Sequence, residues 1–473
     1  MGDSAVKKSG YPLGFYLSCI TYTFERFAFY GSKPLLILFL LAAVNNGGLG
    51  ISKVEAGFLT AQFTAWTYVA PVLGGYICDH WLGARYSVTL GSILMAIGYL
   101  FGWKADSTTD VILMIIIVSV GTGFFKGNLT SLMGRLIDDP KKKDSAFSIV
   151  YAFVNIGATF GSAIMGYAYL YTFKQGDILG FRDCFLWCAV SVLVGGIIFT
   201  LSYPKLKGQG KKPFKYNVDE NGNVIETADS SKEKALNAKD NSEAKLTSVQ
   251  KSRVSAILIV VFVSILFWFF YFQQDIALTI YMSEYVDMKI GSFTLSPAHV
   301  TTTWNGILCV ALSLAAAKLW NKLAQRPQGD LSMFKKVALA FLFMGIAYVI
   351  LIAMEISRGV GAPDSVKVSV LWLFVFSIFL TLGEIAFSPL GSSFVSKYAP
   401  KKYLSVLMGV WFFATFAANQ LNGITEKFVQ SLGIYTIFVI FAIISFVGAI
   451  SMFVLDKSLK KLLHDDKLDE EEQ

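Results

Sequence analysis

Tyr22, Glu25, Arg26, Phe29, Tyr30 and Lys33 recur at steps of three and four, so on a helix they form one polar and aromatic stripe. Three of them carry formal charge inside an apolar segment, residues 11–44, that is long enough to cross a bilayer. A charge at the bilayer centre costs roughly 2.5–3.5 kcal/mol, so such side chains face a protein interior or a water-filled path and mark a binding or transport site. Lys126, Asp275 and Glu384 are further charges within apolar runs. The cations Arg26, Lys33 and Lys126 fall in the first half of the chain and the acids Asp275 and Glu384 in the second. A zwitterion taken out of water needs an anion site and a cation site a few ångströms apart, and this set supplies both. Arginine offers a planar fork that matches a carboxylate, while a lysine adds a point charge with movable donors.

The elements that must position these residues are membrane spans. Of 473 residues, 54% are hydrophobic, 15% aromatic and only 16% charged, far from a soluble average. Apolar runs lie near 11–44, 55–78, 85–103, 110–134, 145–171, 183–202, 254–285, 298–320, 335–355, 367–396, 402–425 and 431–455. Each suits a hydrocarbon core of roughly 30 Å, so an all-α integral membrane protein with twelve transmembrane helices is expected. Basic residues fall on alternate loops: Lys7 and Lys8, then Arg135 with Lys141, Lys142 and Lys143, then Lys322, Arg326, Lys335 and Lys336, then Lys457, Lys460 and Lys461. The opposite loops carry few, such as Lys104 and Lys289. By the positive-inside rule both termini are cytoplasmic. The net charge of +8 is then mainly a topology signal, and no nucleic-acid partner is implied.

Cys19, Cys78, Cys184, Cys188 and Cys309 lie in or beside spans without zinc-like spacing, so no metal is expected and they read as helix-packing cysteines. His80, His299 and His464 are scattered over loops and ends, which argues against a membrane-embedded enzyme. The first span is too long and too polar to be a signal-peptide core. A bacterial inner (plasma) membrane is the expected location.

The spans divide six and six. Residues 1–203 form an N-terminal six-helix bundle, 204–253 a cytoplasmic linker, 254–456 a C-terminal six-helix bundle and 457–473 an acidic cytoplasmic tail. Within the linker, residues 214–225 alternate apolar and polar on both sides of Asn221-Gly222, a strong hairpin signal. Such a hairpin is marginal in water unless it docks on something. After the second span, Asp79 and Arg85 in the run Gly75 to Arg85 resemble the short loop between spans two and three of the major facilitator superfamily. There an Asp and an Arg brace neighbouring helix ends, which implies rocking bundles rather than a static pore.

Further segments resemble the proton-dependent oligopeptide transporter (POT) family over nearly the whole chain. Glu25-Arg26-Phe27-Ala28-Phe29-Tyr30-Gly31 is similar to its first-helix motif. Gly121-Thr122-Gly123-Phe124-Phe125-Lys126-Gly127-Asn128 is similar to its fourth-helix motif, and Tyr151 to Ala158, with Asn155, to its fifth-helix signature. The most specific stretch is Gly383-Glu384 to Ser388-Pro389-Leu390-Gly391, followed by Lys397 to Pro400 and Met408-Gly409-Val410-Trp411. The resemblance implies symport of di- and tripeptides with protons by alternating access, the substrate held between two bundles of a major facilitator fold. It implies that Arg26 and Lys126 receive the peptide carboxylate and that Glu384, Asn155 and Asn305 hold the amino end. Tyr30, Tyr68 and Trp411 would line the pocket, with Lys33 and Ser388 also among the binding residues. No cofactor beyond the coupling proton is implied, membrane lipid is the surrounding partner, and a monomer is expected. Each residue also has a plainer reading. Glu25 and Arg26 could be a structural ion pair, Lys33 a snorkelling lysine before Pro34, Tyr68 and Trp411 core aromatics, and Asp275 a water-facing helix end.

The chain departs from the family where protons are concerned. Tyr22 stands in place of the first acid of the first-helix motif, and apolar Phe272 in place of the acid before Gln273 of the seventh helix. Trp304-Asn305-Gly306 replaces the usual Asn-Pro. Asp275, one turn beyond Phe272, is the candidate to take over coupling by pairing with Lys33, alongside Glu25 and Glu384. A buried acid that alternates between partners can take and release one proton per cycle. Loss of both family acids would instead leave a facilitator or exchanger, or shift the substrate towards another amphipathic organic solute.

Overall fold

The computed structural model describes residues 10–137, 139, 142–219, 223–227, 246–327, 331–388, 390–400 and 403–464. The Asn221-Gly222 turn, most of the second half of the linker and the acidic end of the tail lie outside the described residues.

Regular structure is overwhelmingly helical. In chain order the helices of the first half are α1 (Leu13–Leu41), α2 (Lys53–Ile77), α3 (Ala84–Lys104), α4 (Thr108–Arg135), α5 (Lys143–Tyr167) and α6 (Phe181–Leu201). Those of the second half are α7 (Ser248–Tyr271), α8 (Ala277–Tyr285), α9 (Val300–Ala324), α10 (Met333–Arg358), α11 (Leu371–Phe387), α12 (Leu390–Tyr398), α13 (Leu404–Asn422), α14 (Thr425–Leu432), α15 (Ile434–Val454) and α16 (Asp456–Leu463). Eight helical stretches among the described residues are long and apolar enough to cross a membrane. They are α3, α4, α5 with its following turn, α6, α7 running through α8, α9, α10 and α15. The other four expected spans are helical too, but they hold polar groups: Glu25, Arg26 and Lys33 in α1, Gln62 and a series of threonines in α2, Glu384 in the short α11, and Asn419, Gln420 and Asn422 in α13. The chain is a multi-pass integral membrane protein.

Two compact units divide the chain. One comprises Met1–Tyr30, Ala70–Gly161 and Arg182–Asn241; the other Gly31–Val69, Ser162–Phe181 and Ser242–Gln473. The divisions fall inside α1, α2 and α5, so each of these helices contributes to both units.

In the first unit α3 packs along α4 through small residues. A side chain at Gly91 of α3 would strike the Gly121 carbonyl, and one at Gly74 of α2 the backbone of Gly123, so both α3 and α2 bring their backbones close to α4, the usual device of helices in lipid. Ser107 caps α4 reciprocally with Asp110, satisfying N–H groups that the first turn leaves open. The linker hairpin is present: β1 (Tyr216–Val218) pairs antiparallel with β2 (Val224–Thr227). It docks on helix ends. The Arg135 guanidinium donates to Phe214 O at 3.0 Å and covers the Phe214 ring at 4.2 Å, and Lys215 N donates to Asp79 O at 3.2 Å.

In the second unit α10 packs along α11 and α15 around Phe267, Phe270, Phe341, Tyr348, Phe387 and Phe441. The seventh expected span is broken. After α7 the chain tightens into a 3₁₀ turn, Phe272–Asp275, before α8 resumes. Carbonyls near the break are taken by side chains: Tyr348 OH donates to Phe270 O at 2.7 Å, Asn422 Nδ2 to Phe272 O at 2.8 Å and Thr279 Oγ1 to Gln274 O at 2.8 Å. Buried backbone groups must be paired, and these bonds hold the break in one form.

Candidate functional site

The residues expected to act together fall into two clusters, one in each unit. In the first unit Glu25 and Arg26 are 2% and 4% exposed and form a bidentate ion pair on adjacent positions of α1. The guanidinium also lies 5.3 Å from the Tyr22 ring, 5.0 Å from Phe29 and 6.0 Å from Tyr30, so the stripe read from the sequence, apart from Lys33, forms an aromatic cage around one cation. Lys126 on α4 is half-buried and within Coulombic reach of Arg26 and Glu25. Asn155 turns its amide back to Tyr151 O on its own helix at 2.8 Å. Asp79 sits exposed in the turn after α2. Arg85 donates to Gln209 O at 2.7 Å and stacks over Tyr203 at 5.5 Å, which ties the start of α3 to the chain after α6.

In the second unit Lys33 and Asp275 form an ion pair at 2.8 Å, both nearly buried, with the ammonium 5.2 Å from the Phe272 ring. The 3₁₀ turn is what presents Asp275 to Lys33 within α1. Glu384 on α11 receives three donors at a single oxygen, Oε2: Asn305 Nδ2 at 2.8 Å, Tyr271 OH at 2.9 Å and, more weakly, Cys309 Sγ at 3.6 Å. Asn305 also donates to Thr381 Oγ1 at 2.9 Å. With its donors gathered on Oε2, the carboxylate is oriented and its other oxygen keeps capacity for a proton or a cation. Trp411 stacks near Phe387, 6.4 Å between ring centres, and lies where a side chain at position 391 would be, so Gly391 is required for the indole to seat. Tyr68 is half-buried on α2, and Ser388 is exposed at the end of α11, its N–H bonded to Glu384 O at 2.8 Å.

Sequence reasoning missed Tyr271 and Cys309. Cys309 stands four residues after Asn305, on the same helical face, a spacing that could have found it. Tyr271 reaches Glu384 from another helix, for which the sequence carries no local signal.

An intramembrane cation cage, a clamped carboxylate and a nearly buried interhelical ion pair in a multi-pass helical chain describe a solute transporter rather than an enzyme. The family model for the POT family matches residues 85–438, and the chain belongs to that family. An uncharacterized transporter, YclF, of Bacillus subtilis (strain 168) is 25% identical over 96% of each chain. A di-/tripeptide transporter of Lactococcus lactis subsp. cremoris is 24% identical over 96% of this chain and 97% of its own. The peptide transporter YePEPT of Yersinia enterocolitica is 26% identical over 89% of this chain and 88% of its own. Among solved structures, a mutant of the peptide transporter POT in complex with alafosfalin superposes with a TM-score of 0.83 at 23% identity, covering 97% of both chains. A POT family transporter in complex with 5-aminolevulinic acid gives 0.81 at 23% identity, covering 96% of this chain and 98% of that one.

Proposed function

We propose that this protein carries di- and tripeptides together with protons by alternating access, as a monomer of twelve spans in two six-helix bundles, residues 1–203 and 254–456. The linker 204–253 and the tail 457–473 lie in the cytoplasm with both termini. Relatives named as peptide transporters, matched over 97% and 88% of their own length, support the substrate class. The observation in this chain that carries the reading is Glu384, whose three donors prepare a fixed acceptor for a peptide ammonium inside the membrane. Arg26 and Lys126 receive the carboxylate, Arg26 with its fork and Lys126 as a point charge. Tyr30, Tyr68 and Trp411 supply apolar contact that discriminates weakly between side chains, so a clamp on the shared peptide backbone gives broad specificity.

Coupling rests on Asp275 and Lys33. Their pair joins two helices, so parting them frees an acid for a proton and joining them displaces it. One proton crossing 100 mV supplies about 2.3 kcal/mol, enough for roughly fortyfold accumulation from the potential alone. A second reading, an uncoupled or exchanging carrier of another amphipathic organic solute, is favoured by Tyr22 and Phe272 standing where family members have acids. Uptake of a labelled dipeptide into proteoliposomes under an imposed pH gradient, with unlabelled competitors, separates the two. Accumulation above the equilibrium level supports symport, and equilibration alone supports the carrier.

A further inference from the structure

Lys53, Glu284 and Glu426 meet in the second unit, and none of the three is assigned to peptide or to coupling. Lys53, at the start of α2, forms a two-oxygen ion pair with Glu284 near the end of α8, at 2.6 and 2.7 Å. One turn along α2, Gly57 faces the Glu426 side chain of α14, its Cβ position 3.8 Å from Glu426 Cβ and 3.2 Å from Ile276. Glu426 is only 2% exposed, and its Oε2 has no hydrogen-bond partner among the described residues. An ionised carboxylate left this way is costly, whereas a neutral one is tolerated. The charges facing Glu426 are Lys53 from α2 and Glu284 from α8, of opposite sign and already paired with each other. Lys427 is its neighbour on α14, and α13 and α15 carry no charged side chain.

The same corner grips the broken helix. Gln273 Nε2 donates to Thr425 Oγ1 at 3.1 Å, and Asn422 Nδ2 donates to Phe272 O at 2.8 Å. The 3₁₀ turn that holds Asp275 is therefore tied to the segment that buries Glu426. Gln62 on α2 and Gln420 on α13 exchange amide bonds at 2.7 and 3.0 Å beside it.

We infer that Glu426 is a proton-binding site that fastens this end of the unit, neutral while α2, α8 and α14 are packed as here and ionised when they part. Burial, against a smaller opposing effect of Lys53, pushes Glu426 up to about 7. A carboxyl exposed to water ionises near 4.3. The packed form therefore binds the proton more tightly. Its advantage is full below the exposed value, falls as the pH rises to about 7 and changes no further above that. Lys53 is held above its ordinary range, burial working against its charge and Glu284 outweighing it, so it stays a cation throughout. On the orientation proposed above this corner faces outside, and external acid would favour its closure.

Hydrogen–deuterium exchange on the purified full-length protein at pH 5 and pH 8, corrected for intrinsic rates, tests the site. The expected result is that α8 and α14 exchange up to about a hundredfold faster at pH 8 in the wild type, with little change in Glu426→Gln. Glu284→Gln leaves Lys53 free to pair with Glu426, and its transition should move to lower pH. Equal pH dependence in wild type and Glu426→Gln overturns the proposal, as does none in the wild type. Restoration of wild-type protection at pH 8 by sodium chloride but not choline chloride would also overturn it, assigning the corner to a metal cation. Dipeptide counterflow on the same preparations keeps this separate from the transport reading. Absent counterflow with a Glu426-dependent exchange change rejects peptide transport and leaves the proton site standing.

Discussion

Two ion pairs in the membrane portion of this chain use the same chemistry and differ in what they can report. Glu25 and Arg26 are neighbours on one helix, so no movement of helices past one another separates them. Lys33 and Asp275 belong to α1 and to the break after α7, so their 2.8 Å contact exists only in conformations that bring those elements together. The first pair can hold a cation in place and shape a binding surface. Only the second can be made and broken by a conformational cycle, which is what coupling demands. A buried pair is weak evidence for stability in either case, and its value here is positional.

The comparison is broken most severely on the cation side. Arg26→Ala and Lys126→Ala are each expected to abolish peptide binding and uptake while the protein remains folded, because a substrate carboxylate would be buried without its partner. Losses of roughly a hundredfold or more in competition by free dipeptides are expected, with folding checked by size-exclusion profile and thermal unfolding. Normal competition in either variant would remove the carboxylate assignment. Arg26→Ala also strips Glu25 of its bidentate partner, so Lys126→Ala is the cleaner of the two.

The interhelical pair should fail differently. If Asp275 is the proposed proton site, Asp275→Asn removes it and leaves the proposed peptide clamp in place, so uphill uptake should fall to equilibration, a loss of up to roughly fortyfold in accumulation at 100 mV. Counterflow, which needs no net proton movement, should persist, and Lys33→Ala should likewise impair the cycle more than binding. Wild-type accumulation by Asp275→Asn would return coupling to Glu25 or Glu384, or deny it.

Much of this contrast was legible in the sequence, and the limits are physical. The stripe from Tyr22 to Lys33 shows itself because helical spacing is local and charges in apolar runs are conspicuous. The hairpin around Asn221-Gly222 shows itself through alternation, though its docking on Arg135 does not. Helix continuity through residues 272–275 is the natural expectation from Phe-Gln-Gln-Asp, since no Gly or Pro punctuates it. The break is instead held by Asn422, Tyr348 and Thr425, which are remote in sequence or on other helices. Glu426 carries no burial signal in its own short helix, and it is buried where α2 approaches it through Gly57, whose Cβ position is 3.8 Å from Glu426 Cβ. Local pattern gives the elements, and the partners of a buried polar group depend on which helices meet.

The acid cluster offers a finer division. Glu384→Gln keeps the shape but removes the charge, so affinity for peptides with a free amino end should fall by roughly tenfold or more, with a smaller loss for amino-blocked analogues. Equal losses would make Glu384 structural.

The smallest expected effects come from the donors on Oε2, and they test whether the carboxylate is oriented or merely present. Tyr271→Phe removes an O–H at 2.9 Å and leaves the ring, which stacks near Phe267, in place. The bond is charge-assisted but one of three, so about 1 kcal/mol, or roughly fivefold in affinity for the free amino end, is expected. Cys309→Ala removes the weakest donor, at 3.6 Å, and should cost less than Tyr271→Phe. Asn305→Ala strips Oε2 of its shortest bond and orphans Thr381 as a partner, so it should cost more than either. If the three losses follow that order for free peptides and vanish for amino-blocked ones, the donors act through Glu384 on the ammonium. If they are equal for both ligand classes, the cluster is packing, and the cation clamp around Arg26 and Lys126 alone recognises the substrate.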